Sequence, residues 1–212
     1  MAERSAPVAA TGPRTGAVVV ASTRAARGTY ADEAGPLLVD GLRAMGLAVG
    51  EPVVVEDGEP VGRALRAALA DGAAVVLTTG GTGLTPRDLT PEQTAPLLDR
   101  ELPGLAEALR AQGRGKGVPT SSLSRGLAGT AGGALVVNLP GSPGACRDAL
   151  EVLEQVLPHA LDQIAGGDHQ ASGAGGDHQT SGAGGDHLAS GAGDGHEPSG
   201  ATADHGRAAG PR

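Results

Sequence analysis

The 212-residue sequence contains no phenylalanine or tryptophan and only one tyrosine. Proteins that bind single-stranded nucleic acid without sequence preference usually stack bases on aromatic rings within a basic groove. This chain lacks the rings, and its formal charge is −8. The acidity is evenly spread, since residues 1–164 carry 14 basic and 18 acidic side chains and residues 165–212 carry 2 and 6. We therefore expect no nucleic-acid partner.

Cysteine and long apolar runs are equally scarce. Cys146 is the single cysteine and has no internal disulfide partner, which favours a reducing compartment. No run of 18 apolar residues is present, so we expect no membrane partner. Residues 1–15 lack the apolar centre of a signal peptide and read as a flexible lead-in. Together these features predict a cytoplasmic protein.

Residues 165–212 differ in composition from the rest of the chain. They consist mainly of Gly, Ala, Ser, Asp and His, with a histidine every nine residues from His169 to His205. This composition buries too little apolar surface to offset the entropy of ordering, so it predicts a disordered tail. The repeat lacks the third glycine and the aliphatic position of the calcium-binding nonapeptide. A low-complexity expansion and a loose Zn²⁺ or Ni²⁺ store remain alternatives.

Residues 16–164 read as one domain in which strand-like and helix-like segments alternate. Short β-branched runs predict strands at 16–22, 48–57, 73–79 and from 134, and helical spacing predicts helices at 31–46, 60–72, 103–113 and up to Ile164. Thr90 is a candidate cap for a further helix. This alternation predicts an α/β fold, a three-layer α/β/α domain with a mostly parallel sheet. Ligands of such sheets bind beyond the carboxyl ends of the strands.

The stretch "LTTGGTGLTPRD" at 77–88 follows one of these predicted strands. Gly80, Gly81 and Gly83 permit positive φ and leave backbone N–H groups uncovered, and Thr82 adds a hydroxyl, so the loop suits phosphate or carboxylate. It is not a Walker loop, because no lysine follows, and Pro86 replaces the last glycine of a dinucleotide fingerprint. A tight turn without a ligand is the alternative.

Two aspartates accompany this loop. Asp88 lies just past the glycines, and Asp57 ends the preceding predicted strand at the same edge of the sheet. A carboxylate beside a bound phosphate calls for a bridging cation, and Mg²⁺ is the usual one. The simpler interpretations are an Asp-Gly turn for Asp57 and a surface pair with Arg87 for Asp88.

Several blocks of the sequence together resemble one family. They are "TTGGTGLTPRDLTPE", "RELPGLAEALR", "LSRGLAGT" and "VVNLPGSPGA", in family order and spacing between about Ala17 and Ile164. The pattern resembles the molybdopterin adenylyltransferases of the MogA and MoaB type, which include the G domain of gephyrin. The resemblance implies a homotrimer that transfers AMP from ATP to the terminal phosphate of molybdopterin with Mg²⁺, releasing pyrophosphate. Hand-over of the product to a molybdate-insertion enzyme would follow.

The resemblance also implies site residues. Asp88 matches one essential aspartate and Asp57 aligns with the other, giving two catalytic residues that would also hold Mg²⁺. The predicted substrate- and nucleotide-binding residues are Gly80, Gly81, Thr82, Gly83, Ser124, Arg125, Pro140, Gly141, Ser142, Ser22 and Arg24. In "ASTRAARGTYAD", Thr23 stands where the family often has an aspartate. Arg24, Arg87 and Arg125 are candidate partners for anions.

Other functions fit the same residues. A non-catalytic molybdopterin-binding or scaffold module would keep the pocket without turnover. A molybdate-insertion enzyme shares the fold but, as a family, carries additional domains. A metal store in the histidine tail would make the folded domain incidental. Retention of both Asp57 and Asp88 favours the adenylyltransferase.

Overall fold

A computed structural model describes residues 13–29 and 31–167 of the chain. Positions 1–12 of the predicted lead-in and 168–212 of the predicted tail lie outside the described residues, and both remain predictions. The domain boundaries inferred from the sequence likewise remain predictions.

Strands and helices alternate along the described chain. In order, they are β1 (Thr15–Ala21), α1 (Thr23–Ala26), α2 (Ala34–Ala44), β2 (Ala48–Val49), β3 (Val53–Val55), α3 (Glu59–Ala70), β4 (Val75–Thr79), α4 (Thr90–Thr94), β5 (Arg100–Glu101), α5 (Pro103–Gly115), β6 (Ala128–Ala131), β7 (Ala134–Leu139) and α6 (Pro143–Ile164). Short 3₁₀ helices cover Ala95–Leu97 and Pro119–Leu123.

The strands form one mixed sheet in the order β2-β1-β4-β7-β6-β5. Strand β3 also pairs with β1, alongside the last residues of β1, whereas β2 pairs with its first residues. The pairs among β1, β2, β3, β4 and β7 are parallel, whereas β5 and β6 add an antiparallel edge. In register, Val20 lies beside Thr79, and Thr79 lies beside Leu139. The carboxyl ends of β1, β4 and β7 are therefore level, so the loops that follow them meet at one edge.

Both faces of the sheet are buried, which confirms the predicted three-layer fold. On one face, Val18 and Val20 of β1 belong to a core that includes Leu38 of α2 and Leu153 of α6. On the other face, Val19 of the same strand packs in a second core with residues of α3. Alternate side chains of a strand point to opposite faces, so this division follows from the period of two. Leucine, valine and alanine fill the space that aromatic rings occupy in other proteins.

Four local features differ from the sequence prediction. The predicted strand 48–57 is divided at Gly50–Pro52 into β2 and β3. Helix α2 begins at Ala34, because the Asp32 carboxylate accepts hydrogen bonds from the Ala34 and Gly35 amides at 3.1 and 3.0 Å. Thr90 does not cap α4, since its hydroxyl instead donates to the Gly80 carbonyl at 2.9 Å. The β5 and β6 strands were not predicted.

Candidate functional site

A cleft of about 710 Å³ lies at the carboxyl ends of the parallel strands. Small-molecule sites commonly have volumes of about 300–1,000 Å³. The cleft is lined from the loops after β1, β3, β4 and β7, and the predicted site residues that line it are Ser22, Arg24, Asp57, Gly80, Gly81, Asp88, Gly141 and Ser142. Four loops distant in sequence thus contribute to one cavity.

The glycine loop is held tightly between neighbouring strands. Gly80 has φ of 91°, and a Cβ there would lie 2.3 Å from the Ala21 carbonyl oxygen. Gly81 has φ of 64°, and a Cβ there would lie 2.3 Å from the Thr90 Oγ1 atom. The Gly80 amide donates to the Leu139 carbonyl at 3.1 Å. Backbone geometry and close packing therefore both require glycine here.

Asp57 follows β3 and is oriented by the loop after β1. Its Oδ2 accepts hydrogen bonds from the Thr23 amide at 3.1 Å and from the Thr23 hydroxyl at 2.7 Å. Its Oδ1 faces the glycine loop, because a Cβ at Gly81 would lie 3.3 Å from it. One oxygen is thus occupied by donors, and the other is directed toward the loop.

Asp88 closes the turn that follows the glycines. Its Oδ2 accepts a hydrogen bond from the Thr85 amide at 2.8 Å, and its own amide donates to the Thr85 carbonyl at 3.0 Å. A Cβ at Gly83 would lie 2.9 Å from the same Oδ2. Both aspartates therefore line the same cleft, and each carboxylate lies against a glycine of the same loop.

The cleft contains further charges that sequence reasoning left out. These are Asp32 and Glu33, which line it beside the predicted anion partners Arg24 and Arg87. The Asp32 Oδ2 atom is buried and has no hydrogen-bond partner within the described residues. The available signal was an acidic residue at the start of the helix predicted at 31–46, which contains Asp32. Four carboxylates against two guanidinium groups mean that a polyphosphate ligand would need an accompanying cation.

The aspartates provide oxygen ligands of the kind that Mg²⁺ prefers. Within residues 13–29 and 31–167, no group of three or more His, Cys, Asp or Glu side chains is arranged to hold a metal ion. Mg²⁺ commonly binds through one or two carboxylates together with substrate phosphates and water. Asp57 and Asp88 therefore fit a Mg²⁺ ion that arrives with a phosphorylated substrate.

A second hollow of about 420 Å³ contains the remaining predicted binding residues except Arg125. Thr82, Gly83, Ser124 and Pro140 line it, and Ser142 lines both cavities. Three apolar side chains in its lining, Leu84, Val118 and Leu123, are 66%, 47% and 55% exposed. A charged cleft beside an apolar hollow suits a ligand with phosphates at one end and a ring at the other.

Two predicted serines also cap helices. Ser22 Oγ accepts from the Ala25 amide at 3.2 Å, and Ser142 Oγ accepts from the Ala145 amide at 3.3 Å. A serine hydroxyl that accepts one bond still has a hydrogen to donate. The N-terminus of the 22-residue helix α6 follows Ser142 at the cleft and adds a partial positive charge there.

The sequence suggests that Arg125 binds an anionic ligand, but in the structure its partners are groups of the protein. It lines neither cavity. Its guanidinium pairs with Glu92 and donates to the main-chain carbonyls of Gly83 and Asp88. Its hydrogen bonds are therefore directed to the protein itself.

Cys146 is buried beneath the cleft. Its sulfur lies 3.4 Å from the Thr79 hydroxyl oxygen and 3.4 Å from the Pro140 carbonyl oxygen. Burial raises the pKa of the thiol above its ordinary value. The side chain therefore stays protonated near neutral pH and packs as a small apolar group.

Comparisons with known proteins agree with this geometry. Residues 17–159, more than half of the chain, match the family described as "Probable molybdopterin binding domain". The chain belongs to this family. The resemblance inferred from the sequence blocks is thereby confirmed. No helix of the described residues is long and apolar enough to cross a membrane.

Relatives of this family member are named for molybdenum-cofactor biosynthesis. A bifunctional molybdenum cofactor biosynthesis protein of Chlorobaculum tepidum is 42% identical over 159 residues, which are 74% of this chain and 50% of that protein. The chain thus spans about half the length of that relative. The molybdopterin adenylyltransferase of Pyrococcus furiosus is 37% identical over 68% of this chain and 87% of its own length.

A solved structure of the family has the same fold. The molybdopterin biosynthesis Mog protein of Mycobacterium ulcerans is 53% identical, with a TM-score of 0.68, and the match covers 71% of this chain and 99% of that one. The predicted fold class is therefore confirmed.

Proposed function

We propose that this protein acts in molybdenum-cofactor biosynthesis as a Mg²⁺-dependent molybdopterin adenylyltransferase. The observation that carries the proposal is the position of Asp57 and Asp88, which come from separate loops and line one cleft against one glycine loop. Relatives with the name molybdopterin adenylyltransferase support the same activity. The protein would use ATP and molybdopterin as substrates.

The reaction needs positioning and charge compensation rather than a protein nucleophile. An oxygen of the terminal molybdopterin phosphate forms a bond to the α-phosphorus of ATP. The bond from that phosphorus to the α,β-bridging oxygen breaks, and pyrophosphate leaves with its electron pair. The described cleft accordingly contains acids, arginines and main-chain donors, while the buried Cys146 thiol stays out of the reaction.

The residues of the cleft divide this work by their chemistry. Asp57 and Asp88 would hold Mg²⁺, which when bound neutralises charge on the phosphate oxygens. The Gly80 amide is bonded to the Leu139 carbonyl, so the later amides of the glycine loop and the N-terminus of α6 are the groups that favour an anion beside them. Arg24 and Arg87 line the same cleft and have the charge to accompany the leaving pyrophosphate.

The apolar hollow favours the uncharged ring of the pterin substrate. Thr82, Ser124 and Ser142 provide polar groups there, and Leu84 and Leu123 provide exposed apolar surface. Because Ser142 lines both cavities, one ligand could extend from the hollow into the cleft. We propose that molybdopterin binds in this orientation, with its phosphate toward the aspartates.

A non-catalytic molybdopterin-binding module is the second candidate. Asp57 Oδ2 already has two donors from Thr23, and the described residues contain no ready-made metal cluster. Both facts would suit a domain that binds the pterin without turnover. We propose in addition that the protein is a homotrimer and hands its product to a molybdate-insertion enzyme. Size in solution and product capture would test these two proposals.

Pyrophosphate release tests the catalytic function directly. With molybdopterin, ATP and Mg²⁺, we expect wild-type protein to release pyrophosphate and to form adenylylated molybdopterin. Asp88→Asn should lower turnover by about 10²–10³-fold, the range for removing one electrostatic group from a transition state, while molybdopterin still binds. Asp71→Asn is the matched control, because Asp71 ends α3 and does not line the cleft. Pterin binding without pyrophosphate release by the wild type would establish the non-catalytic module instead.

A further inference from the structure

Arg125 links the two ends of the exposed segment that carries Asp88. Its Nε donates to the Gly83 carbonyl at 2.8 Å, and one of its terminal nitrogens donates to the Asp88 carbonyl. Its own backbone amide donates to the Thr82 carbonyl at 2.9 Å. One residue thus binds the main chain before and after the turn.

The segment between these carbonyls has few other connections. Positions 84–87 are exposed. The hydrogen bonds between Thr85 and Asp88 close the turn upon itself and do not attach it to the domain. Among the described residues, the hydrogen bonds that join 83–88 to other parts of the fold come from Arg125. The position of the Asp88 carboxylate therefore depends on this arginine.

Glu92 orients the guanidinium from helix α4. Its carboxylate accepts from both terminal nitrogens of Arg125, one of them at 3.4 Å. The hydrogen bond from Arg125 also holds the pKa of Glu92 below its ordinary value. A planar guanidinium has five donors in a fixed fork, so it can bind two carbonyls and a carboxylate at once. A lysine ammonium at this position is a single point charge and would not span the three acceptors.

We propose that Arg125, oriented by Glu92, is a positioning residue that holds the Gly83–Asp88 segment and keeps the Asp88 carboxylate in the cleft. This inference rests on the proposed function only in giving Asp88 a role in turnover. Arg125 acts through the main chain of the loop and lines neither cavity. Its replacement should therefore affect turnover more than substrate binding.

Hydrogen exchange of the loop tests the holding role without any substrate. In Arg125→Lys we expect the Thr85 and Asp88 amides to exchange at least about tenfold faster, the factor for losing one hydrogen bond to a charged group. Arg43→Lys is the matched control, because Arg43 likewise donates to a main-chain carbonyl, that of Val49, at 3.0 and 2.7 Å. Unchanged exchange at 83–88 in both Arg125→Lys and Arg125→Ala would overturn the proposal.

Kinetics then separate positioning from substrate contact. Arg125→Lys should lower kcat for pyrophosphate release by about tenfold or more while KM for ATP changes less than about threefold. Glu92→Gln should give a smaller effect in the same direction. It also serves as the milder variant if Arg125→Ala does not fold. A raised KM with unchanged kcat and unchanged exchange would mean that Arg125 touches substrate, which overturns the proposal. Faster exchange in a protein whose wild type releases no pyrophosphate would uphold the loop-holding role and reject the adenylyltransferase.

Discussion

The glycine loop after β4 and the Gly132–Gly133 turn between β6 and β7 use the same residue in different surroundings. All four turn glycines, Gly80, Gly81, Gly132 and Gly133, have positive φ. A Cβ at Gly80 or Gly81 would lie 2.3 Å from an oxygen of another element, whereas a Cβ at Gly132 or Gly133 would meet nothing within 4 Å. In the hairpin glycine satisfies a local backbone conformation. In the loop it also permits the close approach of neighbouring strands at the cleft.

The largest expected effect comes from adding a methyl group at Gly80, and the same change at Gly133 is the comparison. Gly80→Ala should cost about 2–5 kcal/mol of unfolding free energy, because it adds positive-φ strain to a clash with main chain that cannot move aside. Gly133→Ala should cost about 1 kcal/mol, since only the strain applies. Urea unfolding of both variants measures the difference.

Pyrophosphate release provides the second measurement on these variants. Gly80→Ala should lose activity under conditions where the protein remains folded, and Gly133→Ala should retain it. Equal losses of stability in the two variants would contradict the distinction between a packed loop and an open turn.

A smaller effect on stability is expected from removing the side chain that forms a hydrogen bond with the main chain of each turn. Thr90 is buried and donates to the Gly80 carbonyl at 2.9 Å, so Thr90→Ala should cost about 1–2 kcal/mol. Asp99 is exposed and accepts from the Gly132 amide at 2.7 Å, so Asp99→Ala should cost below about 1 kcal/mol. Thermal and urea unfolding give both values.

Thr90→Ser is the control for the first of these changes, because it keeps the hydroxyl. A cost for Thr90→Ser equal to that for Thr90→Ala would show that the methyl group, and not the bond to Gly80, stabilises the loop. The comparison would then depend on packing alone.

The smallest effect is a dependence on pH at the glycine loop. Arg125 lowers the pKa of Glu92, so the ion pair contributes stability above the ordinary glutamate pKa and loses it as pH falls through the lowered value. Both side chains are more than a third exposed, so solvent screening limits the contribution to below about 1 kcal/mol. Unfolding free energies of the wild type and Glu92→Gln between about pH 3 and 6 should converge at the acid end.

Gly133→Ala leaves the Glu92–Arg125 pair in place, so its unfolding free energy should keep the loss at low pH that this pair gives the wild type. A profile of Glu92→Gln parallel to the wild type at every pH would remove Glu92 from the acid response of the loop.

The sequence predicted the parts of the fold that depend on local pattern. The β-branched runs predicted β1 and β4 almost to the residue, and apolar residues at helical spacing predicted α3 and α6. Strands β5 and β6 were missed because they are two and four residues long and contain little apolar alternation. The Gly132–Gly133 pair was a hairpin signal that could have identified β6.

Several residues of the candidate site could be named from the sequence, but the contacts of their side chains could be predicted only in part. Asp57 and Asp88 were chosen from their positions after strands and from a family resemblance, and both line the cleft. Asp32 was missed, although it lines the same cleft. Arg125 was predicted as an anion partner because its charge is visible in the sequence. Its hydrogen bonds to Glu92 and to two carbonyls could not be predicted, because Glu92 and Arg125 are 33 positions apart.

The sequence by itself determined the alternation of strands and helices, the low aromatic content and negative net charge, and the glycines that free the backbone after β4. These properties are local, since they depend on side-chain type and on spacing along the chain. Only the tertiary structure decided which carboxylates share the cleft and which arginine is committed to the loop. Those outcomes depend on the register of parallel strands and on distances between loops, which neighbouring residues in sequence do not specify.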